Sequence, residues 1–523
     1  MDVVKDALNP DLVLTRANVI TLDPRQPKAG GVVIAKGRIR ALQSGDDATI
    51  PLSPKCPIID CRGKTLVPGF IDCHFHLHAF VEGMASLDLG PGSDVRSISD
   101  IQARIRKLSR RVPAGRWIRG KGYNEFYLVE HRHPNRRDLD QAAPDHPIKL
   151  THRSGHAHVL NSLALQLVGI SRTTSEPRGG MIDRDVETGA PTGVLYEMGD
   201  FLSKRIPPLP ASELEAGLKR TDQKLLSLGI TSIQDASSSN DLKRWKLLRS
   251  WKQRGRLKSR VNMMLGLEGF GRQNQSDFSA DVSQGQLRLS GVKIILDETT
   301  GQLLPSQSEL NELVLEIHRS GSQVAIHAIE ENAVRSACRA IEFALKKFPR
   351  PDHRHRIEHC SVCPPSLSRR LASLGIMVVT QPAFIYYHGE RYLQTVAAKQ
   401  LQNLYPIGTL LKNGVTVAGS SDAPIVPPDP LIGIYSAISR ACQTGDLVLP
   451  EERIGHQDAL RMFTRSAALA ICEEKNRGSI TPGKFADLVL LNGDPTELQP
   501  DEIKNLEVEM TVIDGEIVWP KQS

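Results

Sequence analysis

The chain has 523 residues, of which 40% are hydrophobic, 24% are charged and 5% are aromatic. This composition is typical of a globular protein and excludes disordered, collagen-like and disulfide-rich chains. No run of about 18 apolar residues predicts a membrane-spanning helix, and the first residues, MDVVKDALNPDLVL, lack the pattern of a secretory signal. The eight cysteines are irregularly spaced and do not indicate a disulfide framework. We therefore expect a cytoplasmic protein with reduced cysteines and no membrane partner.

The net charge of +7 comes from 66 basic and 59 acidic residues. One segment, residues 243–260 (KRWKLLRSWKQRGRLKSR), carries nine Lys or Arg and no acid, which leaves the rest of the chain near neutral. A basic segment can bind phosphates, but no nucleic-acid motif accompanies this one. We interpret it as the solvated face of a helix and expect no nucleic-acid partner.

Both ends of the chain carry the pattern of short antiparallel strands. Near the N-terminus, the strands are predicted in LVLTRANVIT, GVVIAKGRIRAL and TLVPGF, with Gly and Asp at the turns. Near the C-terminus, GSITPGKFADLVLLNGD and EVEMTVIDGEIVWP predict at least three strands and a hairpin at Asp514-Gly515. We therefore predict one small β-sandwich domain assembled from residues 1–65 and 476–523.

The middle of the chain alternates strand-like runs with helical patterns, which is typical of parallel βα units. The strand-like runs are GFIDCHFH, GITSIQDA, RVNMMLGL, SGVKIILD, SQVAIHAI, RHRIEHC, GIMVVTQP and GVTVAGSSD. These eight runs are the number that a (β/α)8 TIM barrel requires. We predict this α/β barrel over residues 66–450, with an insertion at about 85–210 and a connecting helix at 451–475.

Histidine and acidic residues at the ends of these runs form the strongest functional signal. Barrel enzymes place their active sites at the carboxyl ends of the strands. His74 and His76 are two residues apart, so both can face the same side of a strand. Imidazole and carboxylate groups are the usual ligands of zinc and similar metals. The candidate residues that end the runs are His74, His76, Lys293, His327, His359 and Asp422.

Lys293 is the unusual member, because it lies inside the apolar run GVKIIL although lysines are mostly exposed. One interpretation is an ordinary strand lysine that extends towards solvent or pairs with Asp297. The other is a lysine carboxylated by carbon dioxide, whose new carboxylate bridges two metal ions. The residues alone leave both interpretations open.

An ordered set of motifs resembles the amidohydrolase superfamily: VPGFIDCHFHLH, GVKIILDE, AIHA, RHRIEHC, GSSDAPI and GSITPGKFADLVLLNGDP. The insertion, with PIKLTHRSGHAHVLNSLAL, GGMIDRDVETGAPTGVLYE and LGITSIQDA, is similar to the metal-dependent hydrolase branch that includes N-substituted formamide deformylases, amidohydrolase family 3. The GVKI segment also resembles the carboxylated-lysine segment of urease. The resemblance implies two divalent metal ions, with zinc expected, and carbon dioxide as the carboxylate on Lys293. The implied ligands are His74, His76, carboxylated Lys293, His327, His359 and Asp422.

The resemblance also implies the reaction, which is cleavage of a C–N bond in an amide, cyclic amide or carbamate-like small molecule. The two metal ions would activate a water molecule, and Asp422 would accept its proton and pass it to the leaving nitrogen. His156 or Arg153 would stabilise the tetrahedral intermediate. Glu197 would lie near the substrate, although an exposed glutamate in a helix is an equal alternative. Further candidates for the pocket walls are Gln381, Trp117 and Tyr123.

Two other functions remain open. His327-x-x-Glu330 resembles the His-x-x-Glu of mononuclear cytosine and guanine deaminases, in which the glutamate moves the proton. Those deaminases lack the carboxylated lysine and this insertion, so we favour the hydrolase, and two metal ions per chain instead of one would distinguish it. The other alternative is a catalytically silent barrel that binds partners through residues 243–260, but such a barrel needs none of the six ligand-type residues. For the hydrolase we expect a homodimer that acts on a small-molecule substrate.

Overall fold

A computed structural model describes residues 10–44, 56–177, 179–271, 285–298 and 303–520. The chain forms two compact units, one of Met1–His76 with Asp222–Ser523 and one of Leu77–Thr221. Parts of the predicted terminal domain, at residues 1–9, 45–55 and 521–523, lie outside the described residues. Within the described part of the chain, no helix is both long and apolar enough to span a membrane.

The elements have the following bounds. The strands are β1 Leu12–Thr15, β2 Asn18–Ile20, β3 Lys28–Ala29, β4 Gly31–Ala35, β5 Arg38–Gln43, β6 Ile58–Asp60, β7 Thr65–Pro68, β8 Phe70–Phe75, β9 Leu87–Asp88, β10 Ile118–Tyr123, β11 Ile148–His152, β12 Ala157–Leu160, β13 Met181–Arg184, β14 Pro191–Tyr196, β15 Ile230–Asp235, β16 Arg260–Leu265, β17 Leu287–Ile295, β18 Val324–Ala328, β19 Arg356–His359, β20 Met377–Thr380, β21 Val417–Gly419, β22 Leu488–Leu491, β23 Val508–Ile513 and β24 Glu516–Trp519. The helices are α1 Leu77–Met84, α2 Ile98–Ser109, α3 Arg136–Asp140, α4 Ser162–Leu167, α5 Gly199–Ser203, α6 Ala211–Ser227, α7 Leu242–Gln253, α8 Leu267–Gly271, α9 Gln307–Arg319, α10 Glu331–Lys347, α11 Pro365–Ser373, α12 Ala383–Thr395, α13 Ala398–Leu401, α14 Ile407–Lys412, α15 Pro430–Ser439, α16 His456–Met462, α17 Arg465–Ala470 and α18 Pro500–Ile503.

The eight predicted barrel strands are confirmed. They lie side by side in one sheet, in the order β8-β15-β16-β17-β18-β19-β20-β21, and neighbouring strands are parallel. A parallel bridge between Phe75 and Ala423 joins the two edges, so the sheet is nearly closed into a TIM-type α/β barrel. Strands β8, β15, β16, β19, β20 and β21 are buried along their whole length, which explains why the sequence shows near-continuous apolar runs there.

The helices around the barrel begin and pack as their sequences direct. Helix α9 is capped by the preceding Ser306, whose hydroxyl accepts from the backbone of Glu309 while the Glu309 carboxylate accepts from the backbone of Ser306. This reciprocal cap satisfies two amide groups at the start of the helix. Val314 of α9 and Ile341 of α10 share a buried cluster with Ile326 of β18. The apolar faces of both helices therefore cover the outside of the barrel sheet.

Strands from both ends of the chain occupy one sheet, in the order β24-β23-β22-β7-β2-β3, and a second sheet has the order β5-β4-β1-β6. The hairpin at Asp514-Gly515 is confirmed, and both turn residues have positive φ angles of 53° and 76°. The predicted single strand LVLTRANVIT is instead two strands, because the chain turns at Arg16, which has a φ of 49°. Strand β1 pairs in one sheet and β2 in the other.

Residues 451–475 also differ from the prediction of one helix. They contain two short helices, α16 and α17, which are separated at Phe463 and Thr464. Thr464 precedes the first turn of α17 with a φ of −134°, and its hydroxyl donates to the carbonyl of Leu460. The non-helical backbone of Thr464 interrupts the helix, which the apolar periodicity of the segment does not reveal.

The second unit contains a mixed sheet in the order β13-β14-β12-β11-β10-β9. In PIKLTHRSGHAHVLNSLAL the sequence predicts one strand and a helix, whereas the structure has β11, β12 and α4. The chain reverses between the two strands at Gly155, whose φ of 78° suits a residue without a side chain. Ile101 and Ile105 of α2 pack in a buried cluster with Leu150 of the sheet.

The basic segment 243–260 is only partly the solvated helix face that we predict. Trp245 and Trp251 of α7 are buried, whereas Lys243 and Lys246 lie on its more open side. Lys252 donates to the carbonyls of residues 257, 258 and 259, and burial lowers the pKa of this lysine to about 7. Arg260 is fully buried and pairs with two carboxylates from the C-terminal strands. Part of the basic charge is therefore structural, because its partners come from distant parts of the chain.

Candidate metal centre

Three predicted ligands converge at the carboxyl end of the barrel. The ligand atoms of His74, His76 and Asp422 all lie within 4.8 Å of one another. Oδ1 of Asp422 is 3.0 Å from Nε2 of His76 and 3.5 Å from Nε2 of His74. His74 and His76 belong to β8 and its end, and Asp422 follows β21, the neighbouring edge strand. Near-closure of the barrel therefore brings together residues that are far apart in the chain.

The other three predicted residues lie next to this group. The ring centroid of His359 is 4.9 Å from that of His74 and 4.4 Å from that of His327. Nζ of Lys293 is 3.4 Å from Nε2 of His74. Lys293 is 1% exposed, so it is neither a surface lysine nor one that extends to solvent. The structure thus places all six side chains along one contiguous path.

The histidine rings are oriented by partners on their Nδ1 atoms. His74 contacts the Glu358 carboxylate through Nδ1, and His359 donates from Nδ1 to the amide oxygen of Gln381 at 2.9 Å. His76 contacts the Ser237 hydroxyl through Nδ1 at 3.1 Å. Histidines that bind metals usually use the second ring nitrogen in this way, which leaves Nε2 for the cation. Gln381, predicted to contact the substrate, uses its amide nitrogen on Ser420 as well, so its side chain is engaged inside the barrel.

Asp422 is held in place by its backbone and by a neighbouring acid. Its φ of 58° lies in the left-handed region, which Asp tolerates better than most residues. Its N–H donates to the carbonyl of His74 at 2.9 Å. The buried Asp72 carboxylate accepts from the backbone and hydroxyl of Ser421 and from the backbone of His74. The loop that carries Asp422 is therefore fixed to the strand that carries His74.

The electrostatic environment favours neutral imidazoles beside an ionised carboxylate. Burial lowers the pKa of His74 well below its usual value and also lowers the pKa of His359. Burial alone would raise the pKa of Asp422, but His74 and His76 bring it below its usual value. Burial also lowers the pKa of Lys293 to about 8. Neutral imidazoles and an ionised carboxylate are the protonation states that a site for a divalent cation requires.

The donor set fits a cation. Oδ1 of Asp422 is buried, and no hydrogen bond of proper geometry reaches it within the described part of the chain. It faces two Nε2 atoms whose rings are anchored through Nδ1. A buried acceptor without a hydrogen bond is costly, and a cation bound by these atoms would remove that cost. Imidazole and carboxylate groups suit zinc and related divalent metals.

The remaining predicted substrate residues belong to the second unit. Nδ1 of His156 lies 2.9 Å from the Glu197 carboxylate, and Glu197 has a strained φ of 53°. Arg153 donates from its backbone to the carbonyl of Tyr123 at 3.0 Å. Tyr123 is fully buried and its hydroxyl contacts His133, which is the environment of a core residue. Trp117 packs against a buried apolar cluster.

Glu330, the key residue of the deaminase alternative, is exposed. It precedes α10, and its carboxylate accepts from the side-chain amide of Gln400 at 3.4 Å. No atom of Glu330 belongs to the His–Asp group found among the described residues. This placement gives the deaminase alternative no support.

Sequence reasoning missed Glu358, Asp72 and Ser237, which contact the candidate ligands. Glu358 and Asp72 are both buried in barrel strands, β19 and β8. An acidic residue inside an apolar run predicts a buried carboxylate with polar partners, because burying a carboxylate without them is costly. Which side chain each would meet was not visible, since His74 and Glu358 are 284 residues apart.

The barrel and this His–Lys–Asp constellation define a metal-dependent hydrolase of the TIM-barrel class. The sequence model of the amidohydrolase family matches residues 57–519, and the chain belongs to this family. It is therefore an enzyme that acts on carbon–nitrogen bonds other than peptide bonds.

Individual proteins support this assignment. The chain is 30% identical to an N-substituted formamide deformylase from Arthrobacter pascens, over 97% of both chains. A crystal structure of an uncharacterized metal-dependent hydrolase from Pyrococcus horikoshii OT3 has the same fold, with a TM-score of 0.75 and 23% identity, over 94% of this chain and 99% of that chain. One from Pyrococcus furiosus has a TM-score of 0.72 and 25% identity, over 93% of this chain and 100% of that chain.

Proposed function

We propose that this enzyme hydrolyses the C–N bond of a small amide, cyclic amide or carbamate-like molecule with two divalent metal ions, expected to be zinc. The observation that carries the proposal is the convergence of two Nε2 atoms and one carboxylate oxygen on one point, beside a buried lysine. The proposed ligands are His74, His76, carboxylated Lys293, His327, His359 and Asp422.

The proposed chemistry divides between the metal ions and the protein. Divalent cations bound here would lower the pKa of a water molecule and polarise the scissile carbonyl. Oδ1 of Asp422 faces the two imidazoles, which leaves Oδ2 to accept a proton from the attacking water. Asp422 would then deliver this proton to the leaving nitrogen, which departs as a neutral amine.

We propose that Lys293 carries a carboxylate derived from carbon dioxide. Its amine would attack carbon dioxide, form an N–C bond and release one proton. The burial that lowers its pKa to about 8 supports this step, because only the neutral amine is nucleophilic. The product is an anion, which two nearby cations would stabilise.

The proposed substrates include several kinds of small amide. The relative from Arthrobacter pascens is named for N-substituted formamides, so these amides are the first compounds to test. We propose that His156, Arg153 and Glu197 contact the substrate. The exposed His156 and its contact with Glu197 support a polar recognition role.

We also propose that the two sheets built from the chain ends form a β-sandwich. Leu14 and Ile34 of one sheet and Leu66 and Leu488 of the other belong to one buried cluster, which supports this packing.

The test of the proposed function is metal content combined with turnover. We expect two metal ions per chain by elemental analysis and hydrolysis of N-substituted formamides or cyclic amides. Intact mass under native conditions should show the mass of one carbon dioxide, lost in Lys293→Ala. His359→Ala should lose metal and hydrolysis but stay folded, because ligands at the barrel mouth add little to the core. Full activity of His359→Ala would contradict the assignment.

A further inference from the structure

We propose that Glu358 is a positioning residue that holds the His74 ring with Nε2 directed at the metal centre. This inference rests on the proposed metal-dependent function, since it assigns a role towards the same centre. It concerns a side chain that the motif pattern does not single out as a ligand.

Glu358 contacts both His74 and Arg356. Its Oε2 contacts Nδ1 of His74 and also accepts from Nη2 of Arg356 at 3.4 Å, whereas its Oε1 accepts from Nε of Arg356 at 2.6 Å. Both Glu358 and Arg356 have no exposed side-chain surface. Arg356 also donates to the carbonyl of Cys73 at 3.0 Å and to that of Ala470 at 3.2 Å. Glu358 therefore contacts the ring of His74 directly, whereas Arg356 balances the charge of Glu358 and contacts backbone carbonyls.

The consequence for the metal centre follows from the imidazole tautomers. A neutral imidazole carries one proton, and a carboxylate on Nδ1 keeps that proton on Nδ1. Nε2 of His74 then directs a lone pair towards the centre, where it lies 3.5 Å from Oδ1 of Asp422 and 3.4 Å from Nζ of Lys293. A carboxylate partner also makes Nε2 a stronger ligand, and loss of such partners typically weakens metal binding by about 10–100-fold.

A purely structural role is the rival explanation. Glu358 could serve only to neutralise the buried Arg356, because an unpaired buried charge is strongly destabilising. The two roles differ in one respect. If Glu358 only balances the charge of Arg356, removing both side chains leaves the zinc affinity unchanged. If Glu358 positions His74, the double variant still binds zinc more weakly than the wild type.

A double-mutant cycle separates them. The variants are Glu358→Gln, Arg356→Gln and the combination of both, each stripped of metal and titrated with zinc against a chromophoric chelator. We expect Glu358→Gln and the double variant to bind zinc about 10–100-fold more weakly than the wild type. Arg356→Gln, which keeps the carboxylate on His74, should stay within a few-fold of the wild type.

Three results would overturn the inference. These are wild-type zinc affinity in the double variant, wild-type affinity in Glu358→Gln, and a loss in Arg356→Gln as large as that in Glu358→Gln. If Glu358→Gln fails to fold, the double variant decides, because its buried pair is neutral. Asp487→Asn is the matched control, since Asp487 pairs with buried Arg260 outside the centre. It should unfold at a lower temperature but bind zinc like the wild type.

Different results would overturn the proposed function and the role of Glu358. A wild-type protein that binds no zinc and hydrolyses no amide would overturn the proposed function together with this inference. A wild-type protein that binds zinc and turns over, with Glu358→Gln matching it in both, would overturn only the role of Glu358.

Discussion

Asp422 combines a fixed backbone with two differently placed oxygens, and this makes it the most informative single residue. In Asp422→Asn the amide oxygen could still approach a cation, but the side chain could not accept a proton. We expect partial metal binding and a fall in kcat of about two to four orders of magnitude, the usual contribution of a general base. The measurement is steady-state kinetics with a confirmed substrate, together with metal analysis of the same sample.

Glu330→Gln is the matched contrast at the residue scale. Its carboxylate is exposed and contacts Gln400, so we expect near-normal turnover in this variant. A dead Glu330→Gln enzyme with a nearly normal Asp422→Asn enzyme would support the mononuclear deaminase instead. The two variants thus decide between branches of the superfamily with one assay.

At the element scale, three buried histidines connect α9 to the start of β19. Nδ1 of His355 accepts from the backbone of Val324 at 3.0 Å, so its proton is on Nε2 and is donated to Nδ1 of His318 at 2.8 Å. His353 accepts on Nδ1 from the backbone of His355 and donates from Nε2 to the carbonyl of Leu374, both at 2.8 Å. Every ring nitrogen of His353 and His355 is used in the neutral form, so protonation would break a hydrogen bond.

This arrangement predicts acid-sensitive stability. Burial lowers the pKa of His355 well below its usual value, and Arg350 adds repulsion. The unfolded chain takes up a proton near pH 6.5 but the folded chain does not. The free energy of unfolding should therefore fall as the pH drops below about 6.5, by up to about 1.4 kcal/mol per pH unit for one histidine. Urea denaturation from pH 7.5 to 5 measures this slope.

A variant isolates the contribution of His355 from those of other buried groups. His355→Gln should have a shallower pH dependence than the wild type, whatever its absolute stability. His131→Gln, which changes an exposed histidine, should keep the wild-type slope. Equal slopes in all three proteins would show that His355 does not titrate on unfolding.

The elements differ in how much the sequence could predict. Buried parallel strands produce near-continuous apolar runs bounded by glycines, so all eight barrel strands and the residues that end them were visible. The sequence predicts one strand where the structure has β11 and β12, because the turn at Gly155 between them is short. Contacts such as that of His74 with Glu358 depend on closure of the barrel, which pairs residues from distant strands. The periodicity of a strand indicates which of its faces is buried, but it does not indicate which side chains that face contacts.

At the scale of the whole molecule, the C-terminal strands are joined to the barrel through buried charges. Arg260, the first residue of β16, donates to Asp487 before β22 at 2.7 Å and to Asp514 in the β23–β24 turn. The ring of Phe485 lies 3.9 Å from its guanidinium. The backbone of Gly69 donates to the carbonyl of Asp487 at 2.8 Å. The amino ends of the barrel strands and the terminal sheet thus share one buried ion pair network.

This network predicts that the barrel and the terminal strands unfold together. Asp487→Ala removes one of the carboxylates that pair with the buried guanidinium of Arg260, and breaking a buried pair from one side typically costs about 3–5 kcal/mol. Because Asp514 remains, we expect a loss at the lower end, about 3 kcal/mol. Arg260→Met combined with Asp487→Leu removes both charges and should recover part of this loss.

The measurement is urea denaturation followed by tryptophan fluorescence and circular dichroism, and both probes should report one shared transition at lower urea. Two separate transitions would mean that the terminal strands form an independent domain.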